Sequence, residues 1–429
     1  MSISARFDLE LTQYDAVNAF VNADLPYETY IEMPRGYRKT DTVLRLQKAL
    51  YGLRVSPLLW QQELTKELIN LGFSQVPHEP CCFKRDGILV FVYVDDLVYA
   101  YRPTSKRLAE VLADLLGQRF ELSGGGDLQW FLGIEVIRDR PRRLIHLSQR
   151  AYIDKISRLT RKPSRVSIPM GRNELLPHAG WASATDLNWY QRVIGSILFA
   201  ATQTRPDIAF ATSRLARFLR NPGPQHCHAA DQVLSYLQET RDHALQLGGG
   251  DTLDIASDAS FADNSLDRKS SQGLAIRLFG GLIAWRANKQ DTVTTSTTEA
   301  ELLALSQAAK EALFLNRLLH ELTITLENGL LTIQCDNLQT IRLVNRDLVT
   351  LQTKLRHVDI HNHWIRQEVA NGRISVVYTP SDEMIADGFT KALPREKWQG
   401  FLDVLNVKKV PETRQERSDI ELQPLKARS

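Results

Sequence analysis

Two sets of acidic residues stand where neither a helix nor a strand needs them. In the first, Asp15 follows Tyr14 and precedes the apolar pair Ala16-Val17, at the expected end of a short strand. Asp95-Asp96 lie between two strongly apolar, β-rich runs, Ile88–Val94 and Leu97–Tyr101. That is a hairpin pattern with an acidic tip. Adjacent carboxylates repel one another unless cations hold them, and hard oxygen ligands are what Mg²⁺ prefers. Nucleotidyl transfer uses such a group, with two divalent ions about 3.5–4 Å apart activating a 3′ hydroxyl and stabilising the leaving pyrophosphate. Two acids in a polar turn are also common, and taken alone the dipeptide fits that reading better.

In the second set, Asp258 ends an expected strand in Ser257-Asp258-Ala259-Ser260, and Asp336 follows the expected strand Leu330–Cys335. Acids at strand ends can share one edge of a sheet. Glu301 lies early in a long helix expected from Thr297 to Leu322, and Asp387 near the start of a final helix. Ser296 and Glu299 have capping-box spacing, which gives Glu299 a structural task at that helix start. Glu301 has no such task and is the chemical candidate. Each of these acids by itself fits an exposed surface position equally well.

The elements that must position these groups fall into two styles. Up to about residue 160, short β-rich runs mix with helical patterns, an α+β arrangement. Leu58–Leu71 is expected as a helix between Pro57 and Gly72, Lys106–Leu116 as another, and Gly124-Gly125-Gly126 as a break in the chain. Trp130–Ile137 and Leu144–Leu147 form an expected strand pair, and Asp186–Gln238 is helical. Gly248-Gly249-Gly250 has the composition of a linker. Beyond it come strands at Leu253–Ala256, Gly273–Leu278 and Leu282–Arg286, the long helix, and strands at Leu330–Cys335 and Ile374–Tyr378 with helices between, a mixed α/β unit.

The 429 residues are too many for one ordinary core and fit two or three domains. The apolar share of 43% and charged share of 24% are those of a globular protein. The formal charge of +3 identifies no partner, but from Arg138 to Arg172 basic residues greatly outnumber acidic ones. Such a run suits a phosphate backbone or a solvated helix face, and charge alone does not choose. The 4 cysteines include no C-x-x-C pair, which argues against a disulfide framework or zinc ribbon. Met1–Glu10 has no signal-peptide core, and the longest apolar run, Ile88–Val94, is too short to cross a bilayer. The expectation is an intracellular protein, cytoplasmic and nuclear, with no membrane partner.

Tyr93-Val94-Asp95-Asp96 resembles the YVDD box of reverse transcriptases. Gln13-Tyr14-Asp15-Ala16-Val17-Asn18-Ala19-Phe20 resembles the preceding acidic motif of copia-type retrotransposon Pol polyproteins. So do Lys48–Leu53 with Ser56-Pro57, Phe131-Leu132-Gly133-Ile134-Glu135-Val136, Leu147-Ser148-Gln149 and Thr204-Arg205-Pro206-Asp207-Ile208. The order Asp258, Glu301, Asp336, Asp387 over strand, helix, strand and helix resembles a ribonuclease H site. The local boxes around Asp267, Glu299, Cys335 and Ala386-Asp387-Gly388-Phe389-Thr390-Lys391 resemble its copia-type version. The resemblance runs from about Leu11 to Leu393.

The resemblance implies a polymerase palm/thumb-like α+β region followed by an α/β ribonuclease H-like domain with a mixed sheet flanked by helices. Its expected divisions are palm and thumb over 1–160, with fingers largely missing, a helical thumb or connection region over 161–250, ribonuclease H over 251–393, and a disordered tail over 394–429. It implies RNA-directed DNA polymerase and ribonuclease H activities. Asp15, Asp95 and Asp96 would hold two Mg²⁺ (or Mn²⁺) ions in one site, and Asp258, Glu301, Asp336 and Asp387 two in the other. Phe20, Gly52 and Tyr93 would bind the nucleotide. A ring at Phe20 would clash with a 2′ hydroxyl and favour deoxynucleotides, although a buried core Phe fits the residue too. Trp130, Phe131, Leu132 and Gly133 would grip the primer end, although as an apolar cluster they fit a core equally. The implied partners are an RNA template, a DNA primer, RNA–DNA hybrid, deoxynucleoside triphosphates and other parts of the polyprotein.

Three departures qualify the resemblance. Little sequence precedes Asp15, where the family has a fingers region, Val55 stands where many relatives have Gln or a basic residue, and no His stands in Tyr378-Thr379-Pro380-Ser381-Asp382. The alternatives are therefore a remnant that only binds nucleic acid, or one that keeps only the nuclease. His357, His361 and His363 form a poor ligand set on one helix, and His226-Cys227-His228 reads as a helix entry.

Overall fold

The computed structural model describes residues 1–37, 42–326, 329–345 and 356–410. They form two compact units, Phe7–Gln129 with Arg317–Thr325, and Met1–Arg6 with Trp130–Asn316 and the chain from Leu326 onward.

The first unit is built on a six-stranded antiparallel sheet. Its strands are β1 (Glu10–Ala16), β2 (Ser74–Val76), β3 (Glu79–Arg85), β4 (Ile88–Tyr93), β5 (Asp96–Tyr101) and β6 (Leu122–Asp127), in the order β2-β3-β4-β5-β1-β6. Ile88, Val90 and Val92 are buried in alternation along β4, as a half-covered strand requires. Two helices cover that face. Helix α1 (Ser56–Asn70) presents Trp60, Leu64 and Leu68 at four-residue spacing, and α2 (Lys106–Gly117) presents Ala109, Leu112, Ala113 and Leu116. The start at Ser56-Pro57 and the stop at Gly72, whose φ is +81°, match the helix expected there.

The Gly124-Gly125-Gly126 stretch does not break the chain. It lies in β6 and pairs with Gln13 and Tyr14 across a register shift. A Cβ on Gly124 would meet the Gln13 carbonyl at 2.7 Å, and one on Gly125 the Tyr14 ring at 3.2 Å. The glycines serve close approach at a bulge, not flexibility.

The second unit holds two sheets. One is an antiparallel meander of β7 (Trp130–Phe131), β8 (Ile134–Asp139), β9 (Leu144–Ser148) and β10 (His243–Gly248), closed by the last strand, Val407–Lys409. Between β9 and β10 come α3 (Arg150–Ser157), α4 (Ala184–Gln203), α5 (Ala209–Ala216) and α6 (Pro224–Glu239). The expected linker at Gly248-Gly249-Gly250 is instead a packed crossing. Gly248 pairs with Leu144, and a Cβ there would meet the Arg143 carbonyl at 2.3 Å. The Gly250 N–H donates to Phe279 at 3.2 Å.

The other sheet is made of β11 (Leu253–Ser260), β12 (Ser271–Leu278), β13 (Gly281–Lys289), β14 (Leu331–Cys335) and β15 (Ile374–Tyr378), ordered β13-β12-β11-β14-β15. The first three are antiparallel, and β14 and β15 continue parallel to β11. It is the mixed sheet flanked by helices that the resemblance implies for this part of the chain. Its period-2 alternation buries both faces in different cores. Ile255, Leu274, Ile276 and Ile333 pack with Leu302, Leu305, Ala308 and Ala312 of α7 (Thr297–Glu321). Ala256, Ala275 and Leu282 pack on the other side with Ile194, Ile197 and Leu234 from α4 and α6. Helices α8 (Leu338–Asn345) and α9 (Arg356–Ala370) complete the first of these layers.

The segment from residue 394, expected as a disordered tail, is ordered to residue 410. It forms helix Arg395–Leu405 and the closing strand, with Trp398, Phe401, Leu402 and Leu405 buried. Charged neighbours hide an apolar spacing of three and four that is helical. Residues 411–429 of that expectation lie outside the described residues.

Candidate active sites

The first acidic set comes together at one end of the six-stranded sheet. Antiparallel pairing puts Asp15 of β1 directly opposite Asp96 of β5, so the two side chains share a face. Asp95 sits in the β4–β5 turn, and its carbonyl accepts the Ala16 N–H at 2.8 Å. Gln13 donates to the Asp96 carboxylate at 2.9 Å. The Asp15 carboxyl is pushed above its ordinary range by partial burial and then by the negative charges of Asp95 and Asp96. That electrostatic signature belongs to a site short of positive charge.

The turn itself is strained. Val94 has φ of 58°, which is unfavourable for a β-branched residue. Its carbonyl accepts a 2.6 Å hydrogen bond from the indole of Trp60, which is itself buried. The core thus holds the acidic tip in a conformation that local preference opposes. Phe20 follows in a short 3₁₀ turn, buried, with its ring 4.5 Å from that of the exposed Tyr51. Gly52 has φ of +98° with open space where a Cβ would stand, and Tyr93 is exposed. Trp130, Phe131, Leu132 and Gly133 belong to the second compact unit. There they form an exposed hairpin tip, Leu132 and Gly133 both having positive φ.

The second acidic set is more tightly gathered. Because β11 and β14 run parallel, Asp258 and Asp336 emerge at the same edge. One carboxylate oxygen from each of Asp258, Asp336 and Asp387 lies within 4.8 Å of the others. Asp387 starts the short helical turn Asp387–Thr390. That turn can sit against β12 only because Gly273 has no side chain, since a Cβ there would meet the Ala386 carbonyl at 2.7 Å. Glu301 enters from α7, buried, and accepts the Ala259 N–H. Its Oε2 is buried with no hydrogen-bond partner among the described residues.

Glu299 and Glu301 separate as their spacing requires. The Glu299 carboxylate accepts the Thr295 N–H and hydroxyl at 2.6 and 2.7 Å, while its N–H donates to the Ser296 hydroxyl at 3.2 Å. Glu301 makes no cap.

The charge in this cluster is only partly compensated. Burial, with repulsion from Asp258 and Asp336, pushes the Glu301 carboxyl up to about 9. Burial pushes Asp258 up to about 6 against the hydrogen bond from Thr390. Lys391 pairs with Asp387 at 2.6 Å, and the Ser381 hydroxyl donates to Asp336 at 2.6 Å. Thr390 and Lys391 lie three and four residues after Asp387, inside the same sequence motif, which by itself gives them no task. Ser381 had no comparable signal. Four hard oxygen donors, one of them orphaned at Glu301, with the proton affinities of Asp258, Glu301 and Asp387 raised, fit divalent cations such as Mg²⁺ or Mn²⁺.

Other motif residues are structural. Arg205 and Asp207, both fully buried, form a bidentate pair at 2.9 and 2.7 Å, and the Tyr236 hydroxyl joins Asp207 at 2.7 Å. Thr204 bonds Gln149 at 2.8 Å, so two of the motifs meet in the core. His226 accepts the Gly223 N–H at 2.7 Å, the helix-entry task expected of it. His361 bonds Ser306, and the exposed His363 lies 3.5 Å from Asp359, while the side chain of His357 is outside the described residues. Within the basic run, Arg150 and Arg161 pair with Asp242 and Asp186. Among the described residues no helix is long and apolar enough to cross a membrane.

One unit thus carries Asp15, Asp95 and Asp96 at the end of an antiparallel sheet, and the other gathers Asp258 and Asp336 at the edge of a mixed sheet with Glu301 and Asp387 beside them. The reverse transcriptase (RNA-dependent DNA polymerase) family matches residues 1–170. The putative transposon Ty5-1 protein YCL074W of Saccharomyces cerevisiae is 31% identical over 69% of this chain and 99% of its own length. The chain belongs to the copia-type retrotransposon Pol polyprotein family. The Pol polyprotein from transposon TNT 1-94 of Nicotiana tabacum is 33% identical over 93% of this chain, and that from RE2 of Arabidopsis thaliana 34% over 94%. The chain spans 31% and 28% of those two polyproteins.

Proposed function

We propose that the chain is an RNA-directed DNA polymerase with ribonuclease H activity, copying RNA into DNA and degrading the RNA strand of the resulting hybrid. The observation that carries the reading is the gathering of Asp258, Asp336 and Asp387 around one point, with the buried, unneutralised Glu301 beside them. The proposed functional divisions are palm and thumb over 1–160, a connection over 161–250 and the ribonuclease H-like domain over 251–393.

In the nuclease site, Asp258, Glu301, Asp336 and Asp387 would hold the divalent ions. Bound there, two such ions would offset phosphate charge and lower the pKa of a water. The chain's own part is to fix the donors: Thr390 orients Asp258, Ser381 orients Asp336, and Lys391 offsets the charge of Asp387. In the polymerase site Asp15, Asp95 and Asp96 take the same role, with Gln13 orienting Asp96. Phe20, backed by Tyr51, would floor the nucleotide sugar, with Gly52 and Tyr93 beside it. Trp130–Gly133 would present an exposed hairpin to the primer end. The proposed partners are an RNA template, a DNA primer, their hybrid, deoxynucleoside triphosphates and other parts of the polyprotein, in the cytoplasm and nucleus.

The test incubates purified protein with Mg²⁺ or Mn²⁺ on a labelled RNA–DNA hybrid and on a primed RNA template. Extension and cleavage are both expected. Cleavage alone would leave the nuclease-only reading, and neither activity with binding retained would leave a nucleic-acid-binding remnant.

A further inference from the structure

Beside the nuclease cluster lies a cavity of about 310 Å³ that neither acidic set uses. Its walls are α5 with the turn after it, the loop following Asp258, the residues after Asp387, and the segment 170–175. The volume is at the lower end of small-molecule sites. Four cationic side chains line it, Arg172, Arg214, Arg217 and Lys391, against two acidic ones, Glu174 and Asp263.

Arg217 is the unusual group. Its Nη2 donates to the Ser271 hydroxyl at 3.0 Å, while its buried Nε and Nη1 have no hydrogen-bond partner among the described residues. The two acids whose charge reaches Arg217, Asp263 and Asp267, are already engaged. Asp263 accepts from Arg214, from the Ser271 N–H at 2.7 Å and from the Ser271 hydroxyl at 2.8 Å. Asp267 accepts from Asn264, from the Lys269 N–H at 3.2 Å and from Lys289 at 2.6 Å. Burial, with the like charge of Arg214, pulls Arg217 down to about 10. With Nε and Nη1 shielded from water and unanswered, and with Asp263 and Asp267 committed elsewhere, this guanidinium lacks an anion.

We propose that this cavity is a phosphate-binding site with Arg217 as its principal ligand, separate from the metal-holding acids. Phosphate matches the guanidinium donors better than a small halide does, because it offers several oxygens to one fork. The phosphate arrives either as a backbone phosphodiester of a bound strand or as the free ion. The binding chemistry is the same for both and does not depend on the proposed catalysis.

The experiment uses the full chain as wild type, Arg217→Met and Asn173→Glu. The last places a carboxylate on the exposed lining segment, where folding is not at stake. Circular dichroism checks each fold, and inorganic phosphate and a short RNA–DNA hybrid are titrated by calorimetry without divalent metal. Phosphate binding weakened about tenfold or more in both variants is the expected result. If Arg217→Met fails to fold, Asn173→Glu alone decides. A parallel loss of hybrid affinity, with the salt slope reduced by about 1, assigns the phosphate to the backbone. Hybrid binding that ignores both substitutions while phosphate binding responds assigns it to the free ion. Equal phosphate affinity in all three proteins overturns the proposal. So does a wild type that binds no phosphate up to about 10 mM while its hybrid affinity is the same as that of the variants.

Discussion

Asp15 and Asp96 face one another across adjacent antiparallel strands, and Ala16, the next residue, takes its backbone hydrogen bond from the carbonyl of Asp95. Strand register therefore fixes the spacing of all three acids. If they hold metal as proposed, Asp95→Asn should reduce primer extension by at least about 100-fold and leave hybrid cleavage intact. Asp258→Asn should do the reverse. Gel assays of the two activities on the same preparations check this, and a substitution that removed both would show that the sites are not independent.

The metal-free protein should lose stability as pH rises. Glu301 has its carboxyl raised from 4.5 to about 9 and Asp258 from 3.8 to about 6. Over those spans the unfolded chain gives up protons that the folded chain keeps, so alkali favours unfolding. The loss begins near the unfolded values and is complete above about 9. Thermal melts with EDTA across that range should fall, and added Mg²⁺ should recover more at high pH than at low. Glu301→Gln should flatten the profile, and a profile unchanged by it would refute the assignment.

Asp207→Asn should destabilise the second unit by about 3–5 kcal/mol, because it leaves the buried Arg205 guanidinium without its counter-charge. Urea unfolding measures the change. Replacing both residues with apolar ones should recover much of it.

Gly273→Ala should impair cleavage without contributing any lost contact of its own. The new methyl would meet the Ala386 carbonyl and the Phe389 side chain, displacing the turn that carries Asp387. Cleavage should need more Mg²⁺ for half-maximal rate, and an unchanged Mg²⁺ requirement would show that the turn adapts.

Thr390→Val should weaken Asp258 as a metal ligand by removing the hydroxyl that orients it. Supporting groups of this kind typically contribute about 10–100-fold in metal affinity. Calorimetric Mg²⁺ titration distinguishes this from a loss of fold, and Thr390→Ser should restore binding.

The amino-acid sequence alone singled out the acidic candidates and set most of the elements that hold them. Alternation along Ile88–Tyr93, the proline start of the Ser56–Asn70 helix and the strand at Ile374–Tyr378 are local properties, set by neighbouring side chains within one element. The capping arrangement that separates Glu299 from Glu301 is local too. Tertiary structure decided what depends on approach between distant segments. The glycines at 124–126 read as a break and those at 248–250 as a linker because composition cannot tell a flexible glycine from one that yields to a neighbouring carbonyl. The helix Arg395–Leu405 was hidden because its apolar stripe has meaning only against the core it covers. Thr390, Ser381 and the unanswered Arg217 became visible only when chain remote in sequence closed around them, since hydrogen-bond satisfaction is a property of the folded neighbourhood and not of the residue.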